Sequence, residues 1–94
     1  MSRLSLDTLL TKDHDTIIER VVAGEALVIH LSSGDYYSLD SVGTRIWENI
    51  DGTRTVRDLT ELIVEEYDVD GDQVVADVLR LVEQLADEGL LVWQ

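Results

Sequence analysis

The side chains that most often serve as nucleophile, base or metal ligand near neutral pH are almost missing from this sequence. There is no cysteine, and the only histidines are His14 and His30. Without cysteine there is no disulfide, no thiolate nucleophile and no thiolate metal ligand. His14 lies in a stretch without sustained periodicity, His30 in an alternating one, and neither has a second ligand-type residue at metal-binding spacing. His30 therefore reads as a surface strand residue. The 20 acidic residues interleave with apolar positions at helical spacing, the pattern of solvated helix faces, and nothing selects a carboxylate pair for acid–base work. Gly24, Gly34, Gly52, Gly71 and Gly89 fall singly at predicted element ends and Gly43 in the first turn of a helix, so no glycine-rich loop can cradle a phosphate.

One triplet keeps a chemical alternative open. Asp40-Ser41-Val42 is similar to the Asp-Ser-Leu of acyl and peptidyl carrier proteins, whose serine carries phosphopantetheine, and such carriers are also short and acidic. The same residues are equally satisfied by Asp40 capping a helix that begins at Ser41. A carrier needs a long helix before the triplet, where this chain alternates like a strand.

Those residues must be positioned by elements, and the elements are legible. Residues 1–15 lack a period and predict a flexible N-terminal arm or a short docking turn ahead of one domain over 16–94. Thr16 to Val22 is rich in β-branched residues. Glu25 to Leu31 alternates, with Leu27, Ile29 and Leu31 on one side and Ala26, Val28 and His30 on the other. Ser32-Ser33-Gly34-Asp35 is turn chemistry, and Tyr36 to Leu39 follows as a third strand. From Asp40 the period becomes helical. A helix runs from Ser41 to about Ile50, stopped by Asp51-Gly52. Thr55 and Asp58 form a capping box for a second helix ending near Tyr67. Asp70 opens a third helix to about Glu88, Gly89 closes it, and Leu90 to Trp93 run off as an extended tail. The expected class is α+β: a three-stranded antiparallel sheet followed by three helices, similar to a winged helix-turn-helix.

The third helix carries more apolar surface than a minimal core stripe of about 100°. Val74, Val78, Leu81 and Leu85 lie toward one edge of its arc, and Val75, Leu79 and Ala86 toward the other. Either the helix is sandwiched between neighbours, or the second edge lines a groove for a ligand.

Charge narrows the partners. The formal net charge is -13, and phosphate binding needs clustered cations, so nucleic acid and anionic membranes are unsuitable. As a DNA-reading helix, residues 70–88 would oppose six acids to the single Arg80. A basic peptide or a basic enzyme surface fits better. With no signal-peptide pattern and no apolar run near the roughly 18 residues of a membrane span, a cytoplasmic location is expected.

Placed on these elements, one set of residues resembles the PqqD family, the recognition elements for ribosomally made, post-translationally modified peptides. It comprises Gly34, Tyr36-Tyr37-Ser38-Leu39-Asp40, Gly43, Ile46-Trp47, Asp51-Gly52, Thr55-Val56, Leu62, Tyr67, Val69, Val78, Leu85 and Gly89-Leu90. Asp40 stands where that family commonly has Asn, and both cap helices. The resemblance covers residues 16 to about 92. It implies a module without catalytic activity or cofactor that takes the leader segment of a precursor peptide as a fourth strand on the third strand, against the third helix. A separate modifying enzyme or leader peptidase would act on the peptide, and a freestanding chain of this size fits a lasso peptide system. The implied peptide contacts are Tyr36, Tyr37, Ser38 and Leu39 on the strand and Asp72, Val75, Ala76, Leu79 and Glu83 on the helix. Acidic residues beside the groove would favour a leader with Lys or Arg.

Overall fold

The computed structural model describes residues 4–93. Three strands, β2 (Ile17–Val22), β3 (Glu25–His30) and β4 (Tyr36–Ser38), form an antiparallel meander in the order β2-β3-β4. Ile18, Ile29 and Tyr36 stand in one cross-strand row, and Arg20, Leu27 and Ser38 in another. Ala23 and Gly24 both take positive φ, 54° and 79°, the two-residue type I′ connection whose twist matches a hairpin. The predicted α+β class, strands and helices are all present.

Helix α1 (Ser41–Glu48) starts where Asp40 accepts a 2.7 Å hydrogen bond from the Gly43 amide. A Cβ on Gly43 would stand 3.1 Å from that Asp40 oxygen and 3.4 Å from Leu39 Cβ, so glycine lets the strand turn tightly into the helix. The helix ends earlier than expected, at Asn49, and Ile50 is buried just beyond it. The capping box of α2 (Val56–Tyr67) is reciprocal: Thr55 Oγ1 accepts from the Asp58 amide, and Asp58 accepts from the Thr55 amide. Helix α3 (Gly71–Asp87) is capped by Asp70, which accepts from the Asp72 amide. It closes in a Schellman turn, with Leu90 N–H on Leu85 O and Gly89 N–H on Ala86 O, and Gly89 at φ 78°.

The ends of the chain are organised differently from the expectation. Leu10–Lys12 form β1, which pairs antiparallel with β5 (Leu91–Trp93). Over residues 4–15 the flexible arm is therefore corrected to a docked segment, and the extended tail to its partner strand. Leu4 and Leu10 are buried, and the segment is tied to the α1–α2 turn by Leu10 O accepting from Gly52 and to the first turn of α2 by Leu6 O accepting from Arg57. Two three-residue strands some eighty positions apart carry no local signal that they pair. Lys12 then lies 4.8 Å from the centre of the Trp47 ring and 3.4 Å from Glu19, which accepts from Trp47 Nε1.

The core joins the inner sheet face to all three helices. Trp47, Leu10, Leu59, Leu90, Val28, Val56, Val78 and Val82 are its largest fully buried side chains. Thr44 is the buried polar joint: its hydroxyl accepts from the Ala26 amide at 2.7 Å and donates to Leu39 O at 3.3 Å. It fixes the end of β4 against β3, and no sequence pattern had marked it.

Candidate functional site

Strand β4 is one of the two edges of its sheet, and its pairing with β3 sets which backbone groups stay free. His30 donates to Asp35 O and Leu39 donates to Ala26 O, and Tyr37 sits opposite Val28 between those two bonded pairs. Antiparallel bonds alternate along a strand, so the N–H and C=O of Tyr36 and Ser38 point to the open edge. Beside that edge runs a groove of about 540 Å³, walled by Tyr37 to Asp40 on one side and by Asp77, Arg80, Leu81, Gln84, Leu85 and Glu88 of α3 on the other. Val42, Gly43 and Ile46 of α1 close its floor. Val42, Ile46 and Asp77 also border an apolar recess reaching Tyr67, Val69, Val74 and Val78.

Polar groups mark the two ends. At one, the Tyr37 hydroxyl donates to Glu88 Oε2 at 2.7 Å. That hydrogen bond pushes the phenol up to about 12, with desolvation and the negative charges of Glu88 and Asp35 adding to it. Toward the other end, Asp77 pairs with Arg80 and accepts from Gln73. Among the described residues no group of three or more His, Asp or Glu side chains is arranged to hold a metal ion. Ser41 opens α1 directly after a sheet strand, which removes the helical carrier architecture and the phosphopantetheine alternative with it.

The residues anticipated for this site divide. Tyr37, Ser38 and Leu39 line the groove, with Leu39 in the core and Tyr37 on the inner sheet face beside Val28. Tyr36 projects from the opposite sheet face, 71 % exposed. Helix α3 presents its other edge to β4. Asp72 and Val75 line a recess shared with Leu6, Thr60 and Val64, and Ala76, Leu79 and Glu83 lie around a shallow depression farther round the helix. The apolar arc has two edges separated by about 160° of helix at 100° per residue; the Leu81–Leu85 edge faces the strand, and the Val75–Leu79 edge is half-buried and borders two shallower recesses away from it. Leu81 and Leu85, on the edge of the arc opposite the one expected at the groove, line it, together with Glu88, which periodicity assigned to neither edge.

Relatives share this frame. A solved structure described as TbiB1 in complex with the TbiA(beta) leader peptide is 30 % identical, with a TM-score of 0.79, over 86 % of this chain and 93 % of that one. The fold is shared again by a lasso peptide synthetase B1 complexed with the leader peptide, at 18 % identity and TM-score 0.79, over 89 % and 98 % of the two chains. PqqA binding proteins of Xanthomonas euvesicatoria pv. vesicatoria (strain 85-10) and Xanthomonas axonopodis pv. citri (strain 306) are each 32 % identical over 53 residues, 56 % of this chain. The match spans 58 % of the length of those curated relatives. Residues 25–91 match the family of coenzyme PQQ synthesis protein D, and the chain belongs to that PqqD family.

Proposed function

We propose that this protein binds the leader segment of a ribosomally made precursor peptide as a fourth strand on β4, with alternate leader side chains against Leu81 and Leu85, and presents it to a separate modifying enzyme or leader peptidase. The observation that carries the reading is the unpaired edge of β4 lying along a groove walled by α3. Strand addition suits such an edge: backbone hydrogen bonds supply affinity whatever the sequence, and side-chain pockets supply selection. Solved structures with this fold are described in complex with leader peptides, and sequence relatives are described as PqqA binding proteins; the same task is proposed here. The protein itself performs no chemistry in this scheme. The acids at the groove ends favour a leader carrying Lys or Arg.

The test is a titration of a fluorescent leader peptide into wild type and three variants. Ser38→Pro removes an outward N–H on an edge strand, a place where proline is tolerated by the fold. It should weaken binding about tenfold or more, roughly 1.4 kcal/mol or more, at nearly unchanged melting temperature. Leu81→Glu should do the same through the helix wall. Leu79→Glu faces away from the groove and should leave leader affinity near that of wild type. Wild-type affinity in both Ser38→Pro and Leu81→Glu would refute strand addition in this groove.

A further inference from the structure

The sheet has a second face. Its inner side is filled by Ala26, Val28 and the helices behind them. The outer side carries Ile18, Ile29 and Tyr36 in one row and Arg20, Leu27 and Ser38 in the next. Ile18 is 49 % exposed and Tyr36 71 %. Neither row contains a carboxylate, in a chain with 20 of them. The next row on this face pairs Val22, 67 % exposed, with Glu25, so the face carries one carboxylate, at its hairpin end, beside largely apolar side chains.

Arg20 sharpens the point. Of the six Lys and Arg side chains among the described residues, Lys12, Arg45, Arg54, Arg57 and Arg80 each pair with a carboxylate. Arg20, on the edge strand β2 of this largely apolar face, has no such partner among them. We infer that this face docks a second protein, the enzyme that acts on the bound precursor, and that the partner supplies an apolar patch with a carboxylate opposite Arg20. The inference rests on the leader-binding reading for the identity of that partner.

The other occupants fit less well. A second copy would bring another net charge of -13 and, across a two-fold axis, set Arg20 near Arg20. The leader itself pairs beyond β4, whereas Arg20 stands on β2, three strand spacings or about 14 Å away. Yet leader and partner meet. Side chains alternate along a strand, so every second leader residue would stand beside Tyr36 and Ser38 and widen the outer face. Three strands of six residues or fewer give a face of roughly 14 by 20 Å, well under the ~800 Å² per partner of a stable complex. The leader's outward side chains supply the remainder, so the partner should prefer the loaded protein to the empty one.

The experiment uses the leader peptide of the precursor encoded with this chain and the modifying enzyme or leader peptidase encoded beside it. Leader affinity, melting temperature and enzyme affinity are measured for wild type, Arg20→Glu and Ile18→Lys, with and without leader. Both variants should hold the leader within about twofold of wild type while enzyme affinity for the loaded protein falls about tenfold or more. Wild type should bind the enzyme about fivefold or more tightly when loaded, a coupling of the usual size. Enzyme affinity unchanged in both variants overturns the docking face. Equal enzyme affinity for loaded and empty wild type overturns the composite surface. Wild-type self-association abolished by Arg20→Glu would replace the enzyme with a second copy. If wild type fails to bind the leader, the leader-binding reading falls by itself, and loss of enzyme binding in Arg20→Glu still upholds the face.

Discussion

At the scale of single residues, the Tyr37–Glu88 contact ties the edge strand to the C-terminal end of α3 across the groove. Its phenol is raised to about 12 in the folded protein, above the roughly 10 of an unperturbed tyrosine. A group whose folded pKa is raised contributes stability fully present below its unfolded value. This contribution is therefore intact up to about pH 10 and lost as pH rises through about 12. Following phenolate absorbance in a Tyr36→Phe, Tyr67→Phe background should show one late transition, and Glu88→Gln should bring it back toward about 10. Thr44 makes a different kind of contact, since its hydroxyl is buried between the Ala26 amide and the Leu39 carbonyl. Thr44→Val keeps the shape and strands the amide, a loss of about 1–3 kcal/mol, which thermal melting of a chain this size reads as a drop of several degrees. An unchanged melting temperature would deny Thr44 that role. Asp40, Thr55 and Asp70 were recognisable as caps because a cap acts within three residues of itself. Thr44 was not, because its partner lies 18 residues away.

At the scale of elements, β1 and β5 close the domain beneath the helices. Leu10 is fully buried, and its strand touches both β5 and the α1–α2 turn. Leu10→Ala should cost roughly 2–5 kcal/mol, as deletion of a packed leucine usually does, and should be visible in urea unfolding. A loss under about 0.5 kcal/mol, the range of surface substitutions, would return the N-terminal segment to the status of a loose arm. The helix α3 shows why element-level reading stops where it does. Its wide apolar arc was evident from spacing, and the two edges were told apart, but a helix period has no reference direction. Which edge meets β4 depends on α2 and β5 packing on the rest of the arc, leaving Leu81 and Leu85 toward the strand.

At the scale of the whole molecule, the net charge of -13 surrounds a groove whose ends hold Glu88 and Asp77. If a cationic leader is drawn by that field, raising salt from 0.05 to 1 M shortens screening to about 3 Å and should weaken leader affinity about tenfold or more. The titration that tests the groove variants tests this too, repeated at both ionic strengths. Affinity indifferent to salt would reduce the charge to a solvating role. No helix among the described residues is long and apolar enough to cross a membrane.

The kind, order and approximate limits of the three meander strands and three helices are legible along the chain, because period, caps and turn residues act over a few positions. That Tyr37 and Leu39 share a sheet face is legible there too, since alternation is a property of the strand alone. Tertiary structure decided everything that joins distant segments. It paired Leu10–Lys12 with Leu91–Trp93, set Tyr37 against Glu88 and turned the Leu81 edge of α3 toward β4. It left Arg20 and Tyr36 on an uncovered sheet face. Those choices are made by the burial of one shared core, whose lowest free energy depends on all elements at once and is written in the period of none.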